Sequence, residues 1–150
     1  MTSHSETRIV SYPADLMYAV VADVGRYPEF LPWVTEIAVK SRERIRQCEV
    51  LLAKMTVGYG SFRESYVSRV VLDPNERRID VVQTEGPFRI LENHWRFSPD
   101  AQGCRVDFSI SFEFRSRILN AVASAAFSRV MLRMADAFEA RARALSNQPV

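Results

Sequence analysis

The residues from 104 to 145 constrain the fold more than any other part of the chain. Between residues 104 and 115, apolar and polar side chains alternate one by one, which predicts a β-strand with one buried face. The apolar members are Val106, Phe108, Ile110, Phe112 and Phe114. Residues 117–145 contain neither Pro nor Gly and carry apolar side chains at helical spacing, which predicts one long helix. Together they predict a helix that packs across the apolar face of a sheet.

Further strands are predicted upstream by the same period of two. The candidates are residues 34–42, 45–57, 61–72, 78–85 and 90–97, with a short extended segment at 6–12. The loops between them are too short for parallel crossovers, so the strands must pair antiparallel. A helix is predicted over residues 13–24, and a short helix or turn over 27–33.

These elements predict a single α+β domain spanning residues 1–150, with its core at about 6–145. It would have a curved antiparallel sheet of six or seven strands, two short N-terminal helices, and the long C-terminal helix across the concave face. A strongly twisted sheet and a straight helix cannot touch everywhere, so a gap is expected between them. Phe127, Met131 and Met134 would face that gap. Such a stripe by itself is more typical of a filled core than of a cavity.

Charge and composition exclude several functions. The 20 basic and 18 acidic residues are scattered, so no nucleic-acid footprint is indicated and we expect no DNA partner. Cys48 and Cys104 are far apart and the chain has only two His, so neither a disulfide nor a metal site is expected. Glu92, His94 and Arg96 alternate with apolar neighbours and are predicted to face solvent. No nucleophile with a matching base is evident, so we predict no catalytic residues.

Three sequence motifs are similar to those of a known family. They are Asp23-Val-x-x-Tyr27-Pro28-x-Phe30-Leu31-Pro32-Trp33, then Gly86-Pro87-Phe88 with Leu91 and Trp95-x-Phe97, and finally Phe127 with Phe138-Glu139-x-Arg141-Ala142. From about residue 7 to residue 145 the chain resembles the coenzyme Q-binding protein and ribosome-association toxin family. That family is a branch of the START-like superfamily of polyketide cyclases, dehydrases and lipid-transport proteins.

The resemblance implies a helix-grip fold with a hydrophobic tunnel. It also implies non-enzymatic binding and delivery of ubiquinone, or of another lipid, in support of respiration. Ubiquinone would be the bound ligand, and no catalytic cofactor is expected. Two alternatives stay open: a toxin that binds the large ribosomal subunit and blocks subunit association, and a small cyclase-type enzyme.

The candidate ligand-binding residues combine aromatic, apolar and polar side chains. Residues 27–33 could form a lid that presents aromatic groups at the cavity mouth, or a plug that closes one end of the sheet. Glu64 and Gln83 each lie two residues from apolar residues of the same strand, so their side chains should point to the same face as those residues. They are the predicted polar contacts to a quinone carbonyl. The full set is Phe30, Leu31, Trp33, Phe62, Glu64, Tyr66, Gln83, Phe88, Leu91, Trp95, Phe112, Phe127, Met131 and Met134.

The N-terminus shows no signal-like segment, which predicts a cytoplasmic protein with transient contact at the inner face of the membrane. Four arginines on the last helix, Arg129, Arg133, Arg141 and Arg143, are typical of a solvated face. Contact of these arginines with anionic lipid or ribosomal RNA is the alternative.

Overall fold

A seven-stranded antiparallel sheet with one long helix across it forms the domain. The computed structural model describes residues 1–59 and 62–147, except for the side chains of Tyr59 and Phe62. The strands are β1 (Thr2–Val10), β2 (Val34–Ile45), β3 (Cys48–Tyr59), β4 (Phe62–Asp73), β5 (Arg78–Glu85), β6 (Phe88–Asp100) and β7 (Gly103–Phe114). The helices are α1 (Ala14–Ala22), a 3-10 helix (Val24–Glu29) and α2 (Arg117–Ser146). The strand order is β1-β7-β6-β5-β4-β3-β2, which confirms the predicted helix-grip architecture.

The first connection of the meander lies later in the chain than the sequence predicts. β2 continues through residues 43 and 44, which lie between the predicted strands 34–42 and 45–57, and the turn falls at Arg46 and Gln47. Arg46 has a φ of 58°, in the left-handed region that tight hairpin turns require. The prediction was wrong because β2 is an edge strand. Its Lys40, Arg42 and Arg44 are exposed, and charged edge strands resemble loops in sequence.

The helix α2 is held at both ends by polar contacts. Ser116 caps its N-terminus by accepting a hydrogen bond from the backbone N–H of Leu119 at 3.2 Å. Farther along, Arg8 of β1 reaches the carboxylates of Asp136 at 2.8 Å and Glu139 at 3.0 Å. These ion pairs fix the C-terminal half of α2 against the first strand.

The apolar face of α2 packs on the sheet through aromatic contacts. Phe127 meets Phe112 with their ring centroids 4.5 Å apart, and Phe138 meets Trp95 at 5.1 Å. Aromatic pairs of this kind add roughly 0.5 to 1.5 kcal/mol each beyond the area that they bury. By length and apolar composition alone α2 would suffice to cross a bilayer, but core helices of water-soluble proteins pass the same test.

Candidate ligand cavity

A cavity of about 80 Å³ lies between the concave face of the sheet and α2. Its wall is almost entirely apolar and draws on β2 to β7, α2 and the 3-10 helix region. The lining residues are Val24, Tyr27, Leu31, Trp33, Val34, Ala53, Met55, Val57, Tyr66, Ser68, Val70, Val81, Leu91, Asn93, Trp95, Ile110, Phe127, Val130, Met134 and Phe138.

The floor of the cavity is a row of residues in register across four strands. Val70 of β4 pairs with Val81 of β5, Val81 pairs with Asn93 of β6, and Asn93 pairs with Ile110 of β7. Directly paired residues in antiparallel strands share one face of the sheet, so strand pairing alone places these side chains side by side. The floor is therefore set by the register of the sheet.

The cavity is smaller than a pocket that already holds a lipid. Pockets for drug-sized ligands measure about 300 to 1,000 Å³, several times this volume. Met55 and Met134 contribute flexible thioether side chains that adapt to the shape of a guest. A lipid would therefore have to push these side chains aside or lift part of α2.

Four polar side chains line the cavity, and two of them have good protein partners. Asn93 donates to the carbonyl of Ser109 at 3.0 Å and accepts from Trp95 Nε1 at 2.9 Å, which also orients the indole. The Tyr27 hydroxyl donates to the carbonyl of Val21. Burial raises the pKa of Tyr27, so its hydroxyl stays protonated. The Tyr27 hydroxyl and the Asn93 amide are thus already engaged in hydrogen bonds within the protein.

The other two polar groups, both on β4, are poorly satisfied. Within residues 1–59 and 62–147, the Tyr66 hydroxyl donates only to the sulfur of Met55 at 3.3 Å, a weak acceptor. Burial raises the pKa of Tyr66 as well. Ser68 is 4% exposed, and its Oγ has no hydrogen-bond partner among the residues that the structure describes. These hydroxyls are the unused polar capacity of the cavity.

Half of the predicted ligand-binding residues line the cavity. They are Leu31, Trp33, Tyr66, Leu91, Trp95, Phe127 and Met134. Leu31 and Trp33 are 2% and 8% exposed, so residues 27–33 are placed as a plug rather than as an exposed lid. Their role in binding stays a prediction.

Four predicted residues with described side chains are apolar or aromatic groups outside the lining. Phe88, Phe112 and Met131 are fully buried behind the cavity wall. Phe30 lies on the far side of the plug, where its ring meets Phe138 at 5.4 Å and the Arg141 guanidinium at 5.0 Å. Helical and strand periodicity cannot separate these packing roles from contact with a cavity. The predicted Phe62 side chain lies outside the described residues.

The two predicted polar contacts are corrected by the structure. Gln83 Nε2 donates to the carbonyl of Phe88 at 2.7 Å, and its Oε1 accepts from the Phe88 N–H at 3.0 Å. The Gln83 amide thus closes the β5–β6 turn and has no role left in the cavity. Glu64 pairs with Val57 and shares its face, but it is half-buried and does not line the cavity.

Sequence reasoning missed Ser68 and Asn93. Both lie two residues from neighbours that point into the cavity: Ser68 from Tyr66 and Val70, and Asn93 from Leu91 and Trp95. The alternation of the strand was thus the sequence signal that could have identified them. Residue type gave the opposite indication, since serine and asparagine are mostly exposed in proteins.

The described residues show no catalytic arrangement facing the cavity. His94 binds Asp80 through Nδ1 at 2.6 Å on the other face of the sheet, and Glu92 and Arg96 beside it are exposed. No group of three or more His, Cys, Asp or Glu side chains among the described residues could hold a metal ion. The cavity offers apolar walls and hydroxyl groups, which suit binding.

The family model described as polyketide cyclase / dehydrase and lipid transport matches residues 10–139. The chain belongs to this family. It is 35% identical over 146 residues to a mitochondrial coenzyme Q-binding protein of Xenopus laevis, covering 93% of this chain and 57% of that protein. It is 31% identical over 148 residues to a ribosome association toxin of Pseudomonas aeruginosa, covering 97% of this chain and 99% of the toxin.

Two solved structures show the same fold. An 18 kDa protein from Caulobacter crescentus is 35% identical, with a TM-score of 0.80 over 99% of this chain and 100% of that chain. The Zhui aromatase/cyclase from Streptomyces sp. R1128 is 23% identical, with a TM-score of 0.76 over 95% of this chain and 92% of that chain. At that identity, the likeness to the cyclase shows the fold alone.

Proposed function

We propose that this protein binds a ubiquinone or a similar isoprenoid lipid between the sheet and α2 and delivers it to a membrane without catalysing a reaction. The observation that carries this proposal is the apolar cavity with two under-used hydroxyl groups. A relative named as a coenzyme Q-binding protein supports the choice of lipid. The lipid tail would dominate affinity, because each buried methylene contributes roughly 0.8 kcal/mol.

Lifting part of α2 would open the cavity to a lipid, and the two halves of the helix are held by different contacts. The C-terminal half is fixed by the ion pairs of Arg8 with Asp136 and Glu139. The N-terminal half exposes Ile118 and Val122, which are 78% and 71% accessible. Opening would therefore occur at the N-terminal half, with the C-terminal half as the hinge.

The same half of α2 has the chemistry of a membrane contact. Ile118 and Val122 are flanked by Arg117, Arg129 and other arginines, and no acidic residue occurs from residue 114 to residue 135. Exposed apolar side chains rimmed by arginines suit the surface of an anionic bilayer, where each arginine contributes on the order of 1 kcal/mol. Docking here would place the moving half of α2 against the source of the lipid.

Lipid carriage is tested by extraction and by transfer. The protein purified from a quinone-producing host should release a quinone into organic solvent, detected by mass spectrometry, and should take up quinone from vesicles saturably. Met134→Lys places a charge in the cavity wall and should abolish uptake. Leu132→Lys on the exposed face is the matched control and should retain it. Absence of co-purified lipid together with absence of saturable uptake would contradict carriage.

The membrane contact has its own test. Ile118→Asp should reduce co-sedimentation with anionic vesicles by tenfold or more, on the order of the binding energy of one inserted apolar side chain. Ile45→Asp changes an exposed isoleucine on the β2 edge and should have no effect. Equal loss in both variants, or equal binding to neutral vesicles, would refute this surface.

Ribosome association is a second candidate function. The observation that favours it is that the chain spans 99% of the Pseudomonas aeruginosa toxin. The exposed Arg129 and Arg133 would then contact the large ribosomal subunit, whereas Arg141 is engaged with Glu29 at 3.2 Å. Salt-sensitive co-sedimentation with ribosomes that is lost in Arg129→Glu would support it. Unchanged subunit profiles on overexpression would count against it.

A further inference from the structure

We propose that Ser68 and Tyr66 form a hydrogen-bonding subsite for a carbonyl-bearing head group, of which a quinone carbonyl is the type that fits. This inference rests on the proposed function and adds to it how the cavity would distinguish a quinone from a plain hydrocarbon lipid. The two residues lie at positions i and i+2 of β4, on the same face and about 6.7 Å apart along the strand.

Ser68 is the main observation, because its hydroxyl is buried inside an apolar cavity and has no hydrogen-bond partner in the described part of the chain. A buried polar group that makes no hydrogen bond destabilises a protein, so such groups are rare and need an explanation. Its in-register neighbours cannot supply a partner from their side chains: Ala53 has none to offer, and the Gln83 amide is engaged with Phe88. A ligand in the cavity would complete the hydrogen bonding of Ser68.

Tyr66 adds a second donor on the same face. Its hydroxyl is directed to the Met55 sulfur at 3.3 Å, and a carbonyl oxygen is a much stronger acceptor than a thioether. Since burial raises the pKa of Tyr66, the phenol stays protonated and able to donate. A guest with a carbonyl oxygen would take over this hydrogen bond, and Met55 is flexible enough to withdraw.

The ligand chemistry follows from what the protein offers. The two groups with unused capacity each carry an O–H donor, and the surrounding wall is apolar. The complementary head group is compact, uncharged and rich in acceptors. A charged phosphate or carboxylate would lack a cationic partner among the described residues of the lining.

The experiment compares two ligands with the same tail, decyl-benzoquinone and decylbenzene, in competition against a fluorescent lipid. The wild-type protein should prefer the quinone by about tenfold, the effect of two modest hydrogen bonds. Ser68→Ala and Tyr66→Phe should each reduce that preference about threefold, and the double variant should abolish it. Affinity for decylbenzene should not fall, because neither substitution removes apolar surface from the wall. Ser65→Ala, on the opposite face of β4, should keep the preference.

Stability of the ligand-free protein provides a second readout. Ser68→Ala removes an unsatisfied buried hydroxyl, so its Tm should equal or exceed that of the wild type. A lower Tm would mean that the hydroxyl has a structural partner, and it would overturn the inference. A quinone preference that persists in the double variant would overturn it too, while leaving carriage intact. If the wild type binds neither compound, the proposed function itself fails.

Discussion

Filling the cavity should stabilise the protein and stop it from binding lipid. Ala53 lies on the interior strand β3, is 1% exposed and points into the cavity, so Ala53→Leu would extend a side chain into empty space. At about 24 cal/mol per Å³, a cavity of about 80 Å³ costs about 2 kcal/mol of stability. Leucine would recover roughly 1 to 2 kcal/mol, raising Tm by about 2 to 8 °C.

The assay pairs thermal unfolding of the ligand-free protein with quinone uptake, which should fall at least tenfold because the leucine occupies the space of the guest. Ala135→Leu is the control. Ala135 is also buried but lies outside the cavity, so overpacking there should destabilise by about 1 to 3 kcal/mol. A loss of stability in Ala53→Leu that matches the control would mean that no usable space exists at Ala53. Unchanged uptake would mean that lipid binds elsewhere.

Three further predictions concern the frame around the cavity. Gln83→Ala should lower the free energy of unfolding, measured by chemical denaturation, by about 1 to 3 kcal/mol, because it leaves the backbone N–H and carbonyl of Phe88 unpaired. Its lipid affinity should stay unchanged. A variant that keeps its stability but loses the preference for quinone would show that Gln83 belongs to the binding site. Gly86→Ala should lower Tm, because Gly86 has a φ of 150° and an added Cβ would lie 2.6 Å from Gln83 Oε1; an unchanged Tm would contradict this geometry. Burial opposes ionisation of Glu6, but its hydrogen bonds, first of all from Arg8, outweigh that effect and hold its pKa below 4.5. The stability that ionised Glu6 contributes is therefore present above about pH 4.5 and lost as pH falls through its folded pKa. The free energies of unfolding of the wild type and Glu6→Gln should therefore become more similar as the pH is lowered. A difference that does not change with pH would refute this role of Glu6.

The architecture was predictable because its signals are local and repeated. The alternation through β7 and the uninterrupted helical run of α2 each extend over many residues, so single exceptions do not hide them. The β2–β3 turn was misplaced because the charges that protect an edge strand are also the residues of loops.

The candidate site was only partly predictable, because periodicity gives the face of a residue but not its partners. Gln83 has the parity of the cavity face, yet a turn that closes five residues later takes up its amide. Met131 and Met134 belong to the same helical stripe, and only the docking angle of α2 decides that Met134 meets the cavity while Met131 packs into the core. Ser68 gains its significance from missing contacts, which a sequence cannot show.

The most direct test of the account is quenching of tryptophan fluorescence by quinone. The chain contains two tryptophans, and both Trp33 and Trp95 line the cavity. Quinone rings quench excited indoles at short range, so a guest in the cavity must reduce the emission of both. Titration should give a saturable loss of emission that ends at one quinone per chain and is abolished in Ala53→Leu. Emission that stays constant, or that falls without saturation and equally in both proteins, would contradict a lipid site between the sheet and α2.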